Sequence, residues 1–134
     1  MNRLDDYRDV VPKGTMDFLK CLAEQVKGKK ILHINSTKVG GGVAEMLSSD
    51  LPLLKDLGVD AQWQVISGTE EFFNVTKSFH NALQGQEQHI TQQMLQAYLE
   101  VNRENARRLS FDADYVVIHD PQPAALIESR PAQG

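Results

Sequence analysis

Apolar residues along the chain follow two alternating patterns, which predict helices and strands in turn. A spacing of three and four residues is typical of amphipathic helices, and it covers residues 16–26, 43–57, 69–85 and 87–109. Short apolar runs rich in β-branched residues are typical of buried strands, and they cover residues 29–35, 59–67 and 113–120. The alternation predicts an α/β fold with a parallel sheet, connected by right-handed crossovers.

The ends of these helices have recognisable signals. Thr15 and Thr69 are expected N-caps, because a hydroxyl oxygen can accept a hydrogen bond from a free N–H of the first turn. Pro52 lies inside the second helical pattern and lacks a backbone N–H, so we expect it to kink that helix or to begin a new one. Glycines are expected to end the first three helices, at Gly28, Gly58 and Gly85.

Composition narrows the classes of protein and partner. The 134 residues suit one domain, and the net charge of −4 with a pI near 5.5 argues against a nucleic-acid or anionic-membrane partner. The sequence contains no apolar run of membrane-spanning length and no signal-peptide pattern at its start. Cys21 is the only cysteine, which excludes an internal disulfide. We therefore expect a cytoplasmic protein.

A run of three glycines separates the first strand from its helix. Ligands of open α/β sheets bind at the carboxyl ends of strands, where a helix N-terminus offers free N–H groups and positive partial charge. Gly40, Gly41, Gly42 and the amide of Val43 could therefore cradle a phosphate or a hexose. The run matches neither the dinucleotide fingerprint nor the P-loop. The same pattern also fits a tight strand-to-helix turn without a ligand.

A second polar loop follows the last strand, in the segment "IHDPQP". Its position predicts that His119, Asp120 and Gln122 lie at the same edge of the sheet as the glycines, where they could hydrogen-bond sugar hydroxyls. The alternative is that Asp120 only caps the next turn. Lys77 and His80, on the helix after the second strand, could reach the same ligand or face solvent.

The remaining histidine chemistry is limited. His33 lies within the first strand, so we expect it to be a satisfied core residue. No histidine pair has the spacing of a metal site, and the sequence therefore predicts no metal. It also contains neither a nucleophile elbow nor a Cys-His set typical of a hydrolase.

Several short motifs together resemble one family. The runs "NST", "GGGVAEML", "WQVI", "EFFNVTK", "HNALQG" and "HDPQP" occur in this order between residues 7 and 127. They resemble the N-terminal domain of the trehalose-forming glycosyltransferases, the glycosyl-transferring trehalose synthases within the retaining group 1 (family 4) enzymes. The resemblance implies a Rossmann-like domain, the N-terminal half of a GT-B glycosyltransferase, whose active site is the cleft between two such domains.

The resemblance also implies roles for particular residues. His119 and Asp120 become candidate catalytic residues, and Gly40, Gly41, Gly42 and Val43 become candidate contacts to the donor phosphates. The candidate sugar contacts are Asn35, Ser36, Lys77, His80 and Gln122. The implied substrates are a glucose acceptor and a nucleotide-sugar donor, ADP- or UDP-glucose, with no metal and no other cofactor. The related trehalose-phosphate synthases have a similar His-Asp pair at the same strand end, whereas the positions that follow it differ.

The implied domain organisation has one consequence for activity. Residues 1–134 correspond to a single acceptor-side domain, whereas the basic pair and glutamates that hold the donor belong to a C-terminal domain absent from this sequence. We expect this chain to be part of a longer protein and to be inactive alone, because a preorganised cleft needs both walls. An uncovered sheet edge would favour a homodimer.

Three alternatives stay open from the sequence. A trehalose phosphorylase would share the fold but use phosphate and glucose 1-phosphate. A non-catalytic sugar-binding or regulatory module would need no second domain. A flavodoxin-type response module is disfavoured, because no acidic cluster follows the first strand.

Overall fold

The three predicted strands form one parallel sheet. A computed structural model describes residues 3–129 and contains β1 (Lys30–Asn35), β2 (Asp60–Val65) and β3 (Tyr115–Ile118), in the spatial order β2-β1-β3. Both neighbours of β1 run parallel to it, with Ile34 opposite Gln64 on one side and opposite Ile118 on the other. The predicted α/β fold with a parallel sheet is confirmed.

Helices cover both faces of this sheet. Their bounds are α1 (Thr15–Gln25), α2 (Gly42–Asp56), α3 (Glu70–Leu83) and α4 (Gln92–Arg108), with short 3-10 turns at Leu4–Tyr7 and Ala124–Ser129. One sheet face, with Leu32 and Ile34, packs against Phe72 of α3 and Tyr98 of α4. The opposite face packs Ala61 against Ala23 of α1. No helix within residues 3–129 is both long and apolar enough to cross a bilayer.

The predicted helix ends are confirmed in part. Thr69 caps α3, its Oγ1 accepting a hydrogen bond of 3.2 Å from Phe72 N. Gly58, with φ of 79°, ends α2, and the amides of Gly58 and Val59 donate to Lys55 O and Leu54 O in the Schellman pattern. The Thr15 prediction was wrong, because Gly14 occupies the cap position and Thr15 begins the helix.

Three expectations about the extent and burial of the helices also need correction. Helix α2 runs without interruption through Pro52, so no second helix begins there. Helix α4 begins at Gln92, with Thr91 as its cap, rather than near residue 87. Leu83, which lies on the apolar face of α3 by the helical spacing of residues 69–85, is nevertheless 76% exposed, because it lies at the end of the helix, beyond the reach of the core.

The apolar sequence of β3 predicted a strand buried on both faces, and this prediction was wrong. The strand lies at an edge of the sheet, and Tyr115 and Val117 point to a face where they are 51% and 38% exposed. An exposed apolar strand edge favours pairing with another chain. The homodimer stays a prediction, which light scattering at rising protein concentration would test.

Candidate functional site

The two polar loops identified from the sequence leave the same edge of the sheet. Because β1 and β3 are parallel neighbours, their carboxyl ends lie side by side. The His119 amide extends this pairing by one residue, donating a 2.9 Å hydrogen bond to Ile34 O. The glycine loop (residues 36–42) therefore leaves β1 beside the point where the histidine loop (residues 119–123) leaves β3.

The glycine loop presents exposed backbone. Gly40 and Gly41 have φ of 75° and 92°, values that side-chain-bearing residues rarely adopt, and α2 begins at Gly42. A Cβ placed on any of the three glycines would meet no atom within 4 Å, so the space above the loop is open. The first N–H groups of α2 have no carbonyl partner within the helix. The geometry fits an anion or a sugar against the backbone.

Asn35 anchors the glycine loop from below. It is only 2% exposed, its Oδ1 accepts a 2.8 Å hydrogen bond from Trp63 Nε1, and its Nδ2 donates a 2.7 Å bond to Thr37 O. Both ends of the carboxamide are therefore used within the protein. Asn35 holds the loop against β2, and the sugar contact assigned to it stays a prediction, as does that of the half-buried Ser36.

Lys38 is a candidate that the sequence analysis missed. Its ammonium lies 5.9 Å from the centre of the Trp63 ring, a cation–π contact that places a positive charge within the glycine loop. The lysine is exposed and forms no ion pair among the residues that the structure describes. A basic residue two positions before a glycine run was the available signal.

The histidine loop lines a pocket with part of α3. The pocket has a volume of about 360 Å³, and its lining residues are Phe73, Thr76, Lys77, His80, Asp120 and Gln122. Four of them were named from the sequence as candidate contacts, so the fold brings together residues from positions far apart in the chain. Their roles stay predictions. Asp120 adopts a φ of 67°, a conformation that is uncommon for a residue other than glycine.

Side chains of α4 hold the histidine loop in place. Tyr98 Oη donates a 2.9 Å hydrogen bond to Pro121 O and accepts one of 3.0 Å from Ala125 N. Asn102 Nδ2 donates a 3.1 Å hydrogen bond to Gln122 O. Burial raises the pKa of the Tyr98 phenol, which is therefore neutral at physiological pH. The helical spacing of residues 87–109 is compatible with a buried Tyr98, but it does not reveal that the Tyr98 hydroxyl supports this loop.

His33 and His119 form a direct contact beneath this edge. His33 Nδ1 lies 3.0 Å from His119 Nε2, although the two residues are far apart in the chain. His33 Nε2 is buried and has no hydrogen-bond partner within the described residues. The expectation of a satisfied core histidine was therefore wrong: the side chain is half-buried and its second nitrogen is unpaired. Burial, and then the nearby His119, lower the pKa of His33.

The site thus has two separate parts on one edge. The residues of the glycine loop do not line the 360 Å³ pocket, and neither do Asn35, Val43 and His119. Within residues 3–129 no three His, Cys, Asp or Glu side chains are grouped as metal ligands. The arrangement offers backbone amides in one part and hydroxyl-binding side chains in the other.

Comparison with known proteins gives this geometry a context. Residues 33–134 match the profile of the family described as "Trehalose synthase, N-terminal domain". The chain is 54% identical over 128 residues to a trehalose synthase of Thermococcus litoralis, and 44% identical to one of Rubrobacter xylanophilus. These alignments cover 94% and 93% of this chain and 31% of each relative.

A more distant similarity reaches a second group. The chain is 33% identical over 137 aligned positions to a trehalose phosphorylase of Pleurotus pulmonarius, covering 92% of this chain and 18% of that protein. The chain therefore spans about a third of the length of the trehalose synthases that it matches. The three-stranded parallel sheet flanked by helices is consistent with the N-terminal half of a glycosyltransferase. By its sequence and its fold, this chain belongs to the family of trehalose synthase N-terminal domains.

Proposed function

We propose that this chain forms the acceptor-side wall of a retaining glucosyltransferase, which makes trehalose from a nucleotide-glucose donor and glucose. The observation that supports it is the placing of two complementary loops on one edge of the sheet. One loop offers backbone N–H groups at a helix N-terminus, and the other offers a pocket with Lys77, His80, Asp120 and Gln122. The names of the trehalose synthase relatives supply the product.

The pocket suits the recognition of a polyhydroxyl ligand. The Asp120 carboxylate accepts hydrogen bonds from hydroxyls, Lys77 donates to them, and the Gln122 amide can do both. Its volume of about 360 Å³ is in the range of small-ligand pockets, and part of the lining is the apolar ring of Phe73, against which a sugar face can pack. We assign the glucose acceptor to this pocket.

The glycine loop suits the negative charge that develops as a diphosphate leaves. Free N–H groups at the start of α2 and the positive end of its dipole are preorganised for an anion. Lys38 adds a positive charge in the same loop. In the proposed reaction these groups stabilise the departing ADP or UDP while glucose attacks the same face of the donor sugar, with no metal ion.

A second domain completes the proposed enzyme. The chain spans 31% of the synthase relatives, and we propose that the remaining sequence of the whole protein supplies the donor-binding wall. Catalysis by positioning requires both substrates in a fixed geometry. A single wall therefore binds sugar weakly and does not turn it over.

Trehalose phosphorolysis is a second candidate, favoured by the similarity to the Pleurotus pulmonarius phosphorylase. Both reactions use the same sugar pocket and differ in the anion that the glycine loop faces: phosphate in one case and a nucleotide diphosphate in the other. The identity of 33%, against 44–54% to the synthases, places this candidate second.

The test compares donors in the whole protein and in the isolated chain. The whole protein is incubated with glucose and ADP-glucose, UDP-glucose or glucose 1-phosphate, and trehalose is quantified. We expect trehalose from a nucleotide-glucose and none from the chain of residues 1–134 alone. Trehalose formed only from glucose 1-phosphate would establish the phosphorylase instead, and turnover by the isolated chain would contradict the two-wall proposal.

A matched pair of lysine variants tests the pocket. Lys77→Gln, in the pocket, is expected to raise the KM for glucose about tenfold, the cost of one lost hydrogen bond to a polar ligand. Lys55→Gln, an exposed lysine in the last turn of α2 and therefore at the far end of that helix from the glycine loop, is expected to leave it unchanged. Equal KM values for the two variants would place the acceptor elsewhere.

A further inference from the structure

The contact between His33 and His119 is a true hydrogen bond between ring edges. The ring centres are 5.3 Å apart and the ring planes differ by 21°, while the two nitrogens are 3.0 Å apart. A separation of this size equals the nitrogen–nitrogen contact plus the two ring radii, so the rings meet edge to edge near a common plane. The lone pair of one nitrogen therefore points along the N–H of the other.

A neutral pair of imidazoles can share this bond in two ways. In the first, His33 Nδ1–H donates to His119 Nε2. In the second, His119 Nε2–H donates to His33 Nδ1, and His33 must then carry its remaining proton on Nε2. His33 Nε2 is buried without a partner, so the second arrangement buries an N–H donor with no acceptor. Orphaned buried N–H groups are rarer than under-satisfied acceptors, which favours the first arrangement.

The surroundings keep His33 neutral. It lies on β1, between β2 and β3, and the charged and titratable groups that act on it are His119 of the histidine loop and Asp50 of α2. Burial and His119 both lower the pKa of His33, and together they outweigh Asp50, which raises it. At neutral pH the ring accordingly carries a single proton, as the first arrangement requires.

We propose that His33 is a positioning residue that fixes His119 as its Nδ1–H tautomer. His119 does not itself line the acceptor pocket, but its neighbour Asp120 does, and from this adjacent position His119 presents an N–H donor to a hydroxyl oxygen of the sugar that extends beyond the pocket. With Nε2 occupied as an acceptor, the proton of a neutral His119 resides on Nδ1. No hydrogen bond to Nδ1 is present among residues 3–129, which leaves that donor available. The tautomer follows from this geometry alone, whereas the sugar as ligand rests on the proposed function.

Long-range ¹⁵N–¹H NMR of the chain tests the tautomer directly. The chain has four histidines, whose ring signals can be assigned by substitution. At neutral pH we expect both His33 and His119 to carry the proton on Nδ1, opposite to the Nε2–H form that predominates in exposed histidines. An Nε2 proton on either ring in the wild-type chain would overturn the proposal.

Two substitutions distinguish positioning from mere packing. His33→Asn keeps an amide donor near the place of Nδ1, so His119 should retain its Nδ1 proton. His33→Leu removes the donor, so His119 should change largely to the Nε2–H form. An unchanged His119 in His33→Leu would overturn the proposal, and the wild-type spectrum decides the matter even if that variant does not fold. His89→Asn, at an exposed position, is the matched control and should leave both signals unchanged.

Glucose titration of the same samples tests the ligand. We expect the His119 ring signals to shift on adding glucose, with affinity about tenfold lower in His33→Leu and within about twofold of the wild type in His33→Asn. Nδ1 protons on both rings combined with no His119 shift would overturn the sugar contact and leave the tautomer established. Binding of glucose with an Nε2–H tautomer would overturn the role of His33 and leave the acceptor pocket standing.

Discussion

The glycine loop and the histidine loop reach the same edge of the sheet by different physical means. The glycine loop exposes backbone in conformations that glycine tolerates, and its main anchor is the buried Asn35 carboxamide. The histidine loop exposes side chains, and hydrogen bonds from Tyr98, Asn102 and His33 hold it from beneath. One loop is shaped by backbone freedom and the other by buried polar contacts, so they should respond to different substitutions.

We expect the largest loss of stability from a substitution that removes the hydrogen bonds supporting the histidine loop. Tyr98→Phe removes the hydroxyl that joins Pro121 O and Ala125 N. Among the described residues, this leaves the half-buried Ala125 N–H without its partner and Pro121 O with only the 3.3 Å hydrogen bond from Ala124 N. We expect the free energy of unfolding to fall by about 2–3 kcal/mol, measured by urea denaturation. Tyr115→Phe is the control, because that side chain is 51% exposed, and it should change stability by less than about 0.5 kcal/mol. Equal losses would contradict the supporting role of the Tyr98 hydroxyl.

The stability of the glycine loop should depend on the backbone angles that glycine allows rather than on the space available for a side chain. Gly41 has φ of 92° and ψ of 150°, a region almost exclusive to glycine, whereas Gly42 is already helical. Gly41→Ala should lower the free energy of unfolding by about 2 kcal/mol, and Gly42→Ala should raise it by about 0.5 kcal/mol through helix propensity. Chemical denaturation of both variants checks this. A Gly42→Ala variant as unstable as Gly41→Ala would show that crowding dominates there.

Substitutions of Asp120 can distinguish the effect of backbone strain on stability from the effect of ligand contact on affinity. Asparagine tolerates the left-handed region as well as aspartate does, so Asp120→Asn should keep stability within about 0.5 kcal/mol of the wild type. The loss of its charge should nevertheless lower the affinity of the site for glucose about tenfold, measured by titration calorimetry. Asp120→Gly, which relieves the φ of 67°, should be equally stable and bind equally weakly. Unchanged affinity in both variants would restrict Asp120 to shaping the loop.

The smallest expected effect is a pH dependence of stability arising from His33. Its pKa is lower in the folded chain than the ordinary 6.5, so below about pH 6.5 the unfolded chain binds a proton more readily than the folded one does. This contribution is complete above pH 6.5 and is lost as the pH falls through the folded-state value. Unfolding curves at pH 7.5 and 5.5 should show a smaller decline in His33→Asn than in the wild type, with His89→Asn following the wild type.

Local sequence patterns determined most of the fold. The spacing of apolar residues located the strands and the long helices that the structure describes within residues 3–129, because this spacing has to match the face that is buried. The order β2-β1-β3 was not readable from sequence, and therefore neither was the exposure of β3. The start of α4 was misplaced because Thr91 was not recognised as its cap. The local pattern of residues does not indicate whether a strand lies at the centre or at the edge of the sheet.

For the candidate site too, some features could be predicted from the local sequence and others could not. The sequence alone identified side chains of the types that can bind sugars or anions and located Gly40 and Asp120 after strands, because side-chain type and backbone permissiveness are local properties. Only the tertiary structure decided that Lys77 meets Asp120 in one pocket and that His33 hydrogen-bonds to His119. Those pairings depend on the neighbours of β1, and strand order arises from packing of the whole sheet rather than from any short stretch of residues.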